Sequence, residues 1–188
     1  YLKKNILDKK DIKLLIIVRL SSKRLKNKAL LKIDGLPMII HTLKRAKMCS
    51  KLDDVIVCTD SQEIMEIVKK YGGKSVLTSS KHKNGTERIY EASKKFTFDL
   101  CIDIQGDEPF VNFQHIGKVI NFNKNNMHFD IVVPHLEFEA PESPNIVKIL
   151  KDKKNNIISM SRSVIPYPFI SKPNKYLKHL SIISFKPK

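Results

Sequence analysis

Leu14-Leu15-Ile16-Ile17-Val18 (LLIIV), followed by the cationic run Arg19–Gly35 (RLSSKRLKNKALLKIDG), decides how the rest of the chain is read. Five consecutive apolar residues are too few to span a membrane but suit a strand buried on both faces, as at the centre of a parallel sheet. The cations then emerge at the carboxyl end of that strand, the end at which open α/β sheets bind ligands. Arg19, Arg24 and Lys28 fall within ten residues, with Ser21 and Ser22 between them. Such a loop is either a solvated basic turn or a cradle for a polyanion such as a nucleotide triphosphate. It lacks the glycines of a Walker or dinucleotide-binding loop, so no standard motif decides between the two.

Working outward, strand and helix alternate. Gly35-Leu36-Pro37 punctuates the chain, and Pro37 suits the first turn of a helix reaching about Cys49, with Ile39, Ile40, Leu43, Ala46 and Met48 at helical spacing. Val55–Cys58 (VIVC) predicts a second strand, and Thr59-Asp60-Ser61 offers caps for a helix over 62–71 that Gly72-Gly73 ends. A third strand over 74–78 leads to the loop SSKHKNGTER and a helix from Thr86 to Lys95, whose opening amides can face an anion or a base. Asp99–Ile104 (DLCIDI) predicts another strand, delivering Gln105-Gly106-Asp107-Glu108-Pro109 at its carboxyl end. Gly106 permits a tight turn there, aiming Asp107 into the same crevice as Arg19. A helix over 114–123 and a strand over 131–134 complete an α/β, Rossmann-like pattern: a mostly parallel sheet with right-handed crossovers, flanked by helices.

The ends read differently. Residues 1–13 suggest a lead-in helix or a frayed tail. Beyond Leu136, strand-like runs over 146–150 and 157–160 flank the turn-rich Asp152–Asn156 and predict a β-hairpin. Pro166, Pro168 and Pro173 mark an irregular segment, and Tyr176–Phe185 reads as one extended run. The 188 residues suit a single domain, with an α/β core over 12–135 and a small hairpin subdomain over 136–188.

Composition narrows the function. Net charge is +16, but 30 of the 35 basic residues are Lys, spread through every segment, and only five are Arg. Without clustered Arg, interleaved aromatics or a reader motif, this is compositional bias and argues against nucleic acid as the partner. Cys49, Cys58 and Cys101 show no metal-ligand spacing and read as buried or free thiols of a reducing compartment. No apolar run reaches the roughly 18–20 residues of a membrane helix, and no signal-peptide core is visible; the expected location is the cytoplasm, away from membranes.

Three stretches now combine. RLSSKRLKNKAL (Arg19–Leu30), KHKNGTER (Lys81–Arg88) and IQGDEP (Ile104–Pro109) are similar, in order and spacing, to the cytidylyltransferases that activate 3-deoxy-sugar acids. The family resembled most is the 3-deoxy-manno-octulosonate cytidylyltransferases, or CMP-KDO synthetases. SPNIVKIL (Ser143–Leu150), SMSRSVIPYP (Ser159–Pro168) and YLKHLSI (Tyr176–Ile182) resemble that family's sugar-binding and dimerisation portion, so the similarity spans residues 12–188.

The resemblance implies Mg²⁺-dependent transfer of CMP from CTP to the anomeric hydroxyl of KDO, releasing pyrophosphate, for lipopolysaccharide synthesis. A hydroxyl must approach the α-phosphate of a highly anionic nucleotide, so cations and a metal must neutralise the phosphates. Arg19, Ser22, Arg24 and Lys28 match phosphate-binding positions, and Asp107 matches the metal-binding carboxylate, making Arg19, Lys28 and Asp107 the implied catalytic set. Gln105, Asn84, Gly85 and Thr86 fall where the family recognises cytidine. Arg162 and His179 match positions that meet the acid sugar, and a homodimer through the hairpin subdomain is implied. Read from the residues alone, Asp107 and Glu108 equally suit a turn, Gln105 a strand-end hydrogen bond, and His41, His82 and His179 structural roles.

The chain also departs from the pattern. A proline and a glycine usual between Arg24 and Lys28 are Lys26 and Asn27 here, and a proline after the lysine is Ala29. Asn tolerates left-handed backbone geometry, so the loop is expected to form. A glycine and a tyrosine after His179 are Ser181 and Ile183. The first residue is Tyr1 and the last Lys188, whereas family members continue with further sugar contacts and a second metal-binding aspartate. A chain ending there is expected to have low or no activity. The alternatives carried are a cytidylyltransferase for another acid sugar (a nonulosonate or amino-KDO), an inactive, truncated binding module, and a nucleic-acid-binding protein exploiting the +16 charge.

Overall fold

The structure, a computed structural model, describes residues 11–20, 25–171 and 173–186. It divides into two compact units, one built from the chain up to Val132 with Ile183–Lys188, the other from Val133–Ile182.

The first unit is built on β1 (Ile12–Ile17), whose residues Leu14, Leu15 and Ile16 are completely buried. A short hairpin of β2 (Lys32–Ile33) and β3 (Leu36–Pro37) follows, then α1 (Met38–Lys47), β4 (Asp54–Thr59), α2 (Gln62–Lys70), β5 (Lys74–Leu77), α3 (Gly85–Ser93), β6 (Leu100–Gln105), α4 (Phe113–Asn125) and β7 (Ile131–Val132). β1 pairs in parallel with β4 on one side and β6 on the other, and β4 pairs in parallel with β5. The strands are added outward from β1 through β4 to β5, and the chain then returns to place β6 on the other side of β1, which makes the carboxyl ends of β1 and β6 the topological switch point expected of a doubly wound fold.

Both faces of the central strands are apolar because helices cover them. Leu15, Ile17, Ile56, Cys58 and Cys101 pack on one face with Ala92 and Ile89 of α3 and with Phe185. The alternate residues Leu14, Ile16, Val57, Ile102 and Ile104 are equally buried on the other. Each such Leu or Ile contributes about 1.5–3 kcal/mol on burial, which is why the LLIIV run holds the centre of the sheet. Pro37 lies at the N-cap of α1 and in the β2–β3 hairpin rather than inside the helix.

The second unit contains β8 (His135–Phe138), β9 (Lys148–Lys151), β10 (Ile157–Ser161) and β11 (Tyr176–His179), a four-stranded sheet in the order β10-β9-β11-β8. β9 and β10 form the expected hairpin, closed by Asp152, whose Oδ1 accepts from the amides of Lys154 and Asn156.

Three expectations are corrected. The run Tyr176–Phe185 is not one strand: Ser181 has φ +55°, and the chain turns there before β12 (Ile182–Phe185). That left-handed position is the one where the resembled family carries glycine. β12 then takes a place in the large sheet beside β6, so the last residues do not belong with 136–182. Buried Asn123 of α4 donates to buried Ser184 Oγ at 2.7 Å, anchoring β12 through a polar pair that no hydrophobic pattern announces. Finally, β7 is an antiparallel edge on β12, not a further parallel strand. Of the lead-in 1–13, residues 1–10 lie outside the described residues, and Ile12 and Lys13 open β1.

Candidate nucleotide site

The loop after β1 and the turn after β6 meet. Lys28 Nζ donates to Asp107 Oδ2 at 2.9 Å across 79 residues of chain, with both side chains partly open to solvent. Lys28 opens a single 3₁₀ turn, Lys28–Leu30, and the residue before it, Asn27, is left-handed at φ +53°. Asn27 thus takes left-handed geometry at the position where the resembled family carries glycine, as its side-chain chemistry allows.

Gly106 sets Asp107's position. Its amide donates to the Ile17 carbonyl at 2.8 Å, extending the β1–β6 ladder by one bond. Its own carbonyl accepts from Thr42 Oγ1 of α1 at 3.1 Å, and Arg45 Nε of the same helix donates to the Val111 carbonyl at 2.8 Å. One face of α1 therefore pins both ends of the turn that carries Asp107.

The other wall is the start of α3. Asn84 caps it: Oδ1 accepts from the Glu87 amide at 3.0 Å, while Glu87 Oε2 accepts from the Lys83 amide at 2.9 Å, a reciprocal box. The preceding loop is tied to the same helix by Glu91, which accepts from the Ser79 amide and from His82 Nε2 at 2.5 Å. The Ser79 amide first, and His82 second, hold the Glu91 carboxyl below its ordinary range. His82 and His41, whose Nε2 donates to the Ile33 carbonyl, take the structural roles read for them. Gly85 opens the helix close to Gln105: a methyl group there would lie 3.9 Å from Gln105 Nε2 and 3.7 Å from Ile17 Cγ2.

Lys28 and Asp107 are brought together, and so are Gly85 and Gln105. Arg19 is exposed at the carboxyl end of β1, and Thr86 is exposed in the first turn of α3. Asn84 is present at that helix end, but its carboxamide is occupied as the cap. Ser22 and Arg24 lie outside the described residues. Arg162 and His179 belong to the second unit. Exposed Arg162 donates from Nη1 to the Pro144 carbonyl at 2.8 Å. His179 is half-buried, with Nε2 donating to the Ile182 carbonyl at 3.3 Å, and burial keeps its ring below the usual imidazole range. Fully buried Lys148 donates to the carbonyls of Ser143, Ile146 and Arg162, which compensates its charge and ties the backbone of Arg162 to the 143–146 segment.

Two further groups stand out that the sequence pattern did not flag. Arg88, in the KHKNGTER stretch, is buried and donates from Nη2 to Asp60 Oδ2 at 2.8 Å and from Nη1 to Thr78 Oγ1. Asp60 follows β4, where it suggests only a cap; the actual cap of α2 is Ser61. The available signal was scarcity: in a chain with 30 Lys, an Arg marks a place where a planar fork is needed. Asp103, within β6, is 3% exposed, and its Oδ1 has no hydrogen-bond partner among the described residues. Desolvation raises its carboxyl to about 7, and burial pushes the nearby Cys58 thiol up to about 12. All three cysteines are free and buried, as their spacing suggested.

The profile of the family described as Cytidylyltransferase matches residues 14–188. The chain is 42% identical over 176 residues to the 3-deoxy-manno-octulosonate cytidylyltransferase of Fusobacterium nucleatum, covering 92% of this chain and 71% of that one. It is 40% identical over 163 residues to the enzyme of the same name from Nitratiruptor, covering 82% and 67%. Among solved structures, CMP:2-keto-3-deoxy-manno-octonic acid synthetase complexed with CTP superposes with a TM-score of 0.88 at 30% identity, covering 94% of this chain and 74% of that one. With residues of all three motifs meeting at the β1–β6 switch point, the chain belongs to the cytidylyltransferase family, among the 3-deoxy-manno-octulosonate cytidylyltransferases.

Proposed function

We propose that this chain transfers the cytidylyl group of CTP to the anomeric hydroxyl of 3-deoxy-D-manno-octulosonate, releasing pyrophosphate, in a Mg²⁺-dependent step of lipopolysaccharide synthesis in the cytoplasm. The observation that carries the reading is the meeting of Lys28 and Asp107 at 2.9 Å, a cation from the phosphate loop beside the carboxylate of the opposite turn. Arg19 and Lys28, with Ser22 and Arg24, neutralise and orient the triphosphate, while Gln105 and the 84–86 segment recognise the base. Arg162 offers its remaining guanidinium N–H groups to the sugar carboxylate, with His179 as its companion on β11. No helix among the described residues is long and apolar enough to cross a membrane.

Among the described residues no three of His, Cys, Asp and Glu come together as a metal-ligand group. Asp107 is a single hard carboxylate, half exposed, beside Lys28 of the loop after β1. Such a donor fits Mg²⁺, which is usually held by one or two carboxylates with substrate phosphates and water completing the shell. Asp107 would hold the ion, which when bound supplies charge neutralisation at the phosphates. Lys28, which donates to Asp107 in this structure, is the cation that would meet a phosphate oxygen.

Pyrophosphate release with CTP, Mg²⁺ and KDO is the direct test. Asp107→Asn is expected to lose about 10²-fold or more in kcat. Because the Lys28–Asp107 pair is solvent-exposed, the same change should move stability by no more than about 1 kcal/mol. Unimpaired turnover by Asp107→Asn would refute the metal assignment, and faster turnover of a nonulosonate than of KDO would refute the acceptor.

The dimer belongs to the same reading. β10 is an edge strand exposing Ile157, Ile158 and Met160, and Phe169 and Ile170 of the same unit are 85% and 92% exposed. A second copy of the chain would cover these groups, which are larger and more apolar than a free surface favours. Sedimentation should show a dimer that Ile158→Asp with Phe169→Asp converts to monomer; a monomeric parent protein would rule it out.

A further inference from the structure

We infer that Asp60 and Arg88 are positioning residues: a buried ion pair that fixes the root of the phosphate loop to the helix whose amino terminus faces the base. The inference rests on the nucleotide reading above.

The geometry runs in one chain of contacts. Leu20, at the exit of β1, donates its amide to Asp60 Oδ1 at 3.2 Å. The other oxygen of that carboxylate accepts from Arg88 Nη2 at 2.8 Å, and the two side chains are only 10% and 4% exposed. Arg88 lies in the second turn of α3, one turn beyond Asn84 and Gly85. Its other nitrogen, Nη1, donates to Thr78 Oγ1, and that hydroxyl donates to the Thr59 carbonyl at 3.0 Å. Three separate segments, the loop after β1, the end of β4 and the start of α3, are thus held by one carboxylate and one guanidinium.

The residue types match this task rather than stability alone. A buried ion pair is a poor source of stability, since desolvation offsets most of the attraction and an apolar pair of similar volume often does as well. What an apolar pair cannot do is accept the Leu20 amide and bridge it to α3. Arg serves where Lys would not, because the guanidinium can hold Asp60 and Thr78 at once in fixed directions. Leu20 lies at the root of the loop that carries Lys28, and a misplacement of about 1 Å at a reacting group can cost about 10²-fold in rate.

The test separates positioning from structure. Arg88→Met alone leaves the Asp60 carboxylate buried without its counter-charge, with only the Leu20 amide still donating to it, and should lower the melting temperature. Adding Asp60→Leu removes the orphaned carboxylate and should recover most of that loss. If the pair positions the loop, the double variant still binds CTP about 10-fold or more weakly and its Leu20 amide exchanges faster with solvent. If the pair is only structural, recovery of melting temperature brings parent CTP affinity with it, and the inference is wrong. Should the parent chain bind no CTP, the nucleotide reading fails by itself. The clamp is then judged on Leu20 exchange alone, where unchanged protection overturns it. Asp60→Asn provides the same two readouts if the double variant does not fold. Its single acceptor oxygen can serve Leu20 or Arg88, not both, so parent-like exchange and affinity in that variant would also overturn the clamp.

Discussion

Asp103→Asn is expected to stabilise the protein by about 4 kcal/mol at pH 8 while changing little at pH 4. Asp103 sits in the middle of β6 with an Oδ1 that has no hydrogen-bond partner among the described residues, and burial raises its carboxyl from 3.8 to about 7. In the unfolded chain the group ionises near 4, so between pH 4 and 7 the folded protein keeps a proton that the unfolded chain has lost. Stability contributed by the neutral acid is therefore complete below about pH 4 and declines as pH rises, at up to about 1.4 kcal/mol per pH unit. The decline ends near pH 7, where the folded state also ionises. Asparagine has the same shape and no charge to bury, so its stability curve lacks this slope. Urea unfolding of both proteins from pH 4 to 8 checks the claim: the difference should open steadily with pH. Parallel curves would show that Asp103 is solvated or paired in the folded protein.

Gly106→Ala should have a comparably large effect in the opposite direction. A methyl group at Gly106 would lie 2.7 Å from Val18 Cβ, 3.0 Å from Val18 Cγ2 and 3.2 Å from the Ile17 carbonyl. None of these is the movable end of a flexible side chain. Val18 is branched at the contacted atom, and it is held by the hydrogen bond that its amide donates to the Cys58 carbonyl. The new carbon can be accommodated only by parting β1 from the end of β6, which costs about 1–3 kcal/mol as overpacking and strains the Gly106–Ile17 and Gly106–Thr42 hydrogen bonds. Asp107, the next residue, moves with that turn. The expected result is a loss of about 3 kcal/mol in urea unfolding, together with CTP binding weakened about 10-fold or more. Parent-like stability would mean that the turn is looser than its contacts indicate.

The two predictions concern neighbouring residues that differed greatly in how readable they were. Gly106 was legible because a glycine between a strand end and an acidic residue has few other uses. Asp103 was not, because one carboxylate in DLCIDI satisfies an alternating pattern as well as any outward-facing residue, and only the helix over that face makes it buried. His179 shows the intermediate case: strand placement was readable, but its bond to the Ile182 carbonyl depends on the turn at Ser181.

By itself the sequence determined the alternation of the main strands and helices from β1 to α4, without the short β2–β3 hairpin, together with the parallel sheet and the three motifs that meet at its switch point. Those follow from apolar periodicity, caps and glycines, all of which act over a few residues. It also carried Asn27 as a workable substitute for glycine, since left-handed tolerance is a local property. Only the tertiary structure decided that Lys28 meets Asp107 across 79 residues and that Arg88 meets Asp60 across 28. It alone placed β12 beside β6, with Ser184 held by Asn123. Pairings of that kind depend on which surfaces pack together once the sheet has formed, and a side chain's neighbours in the chain carry no record of them.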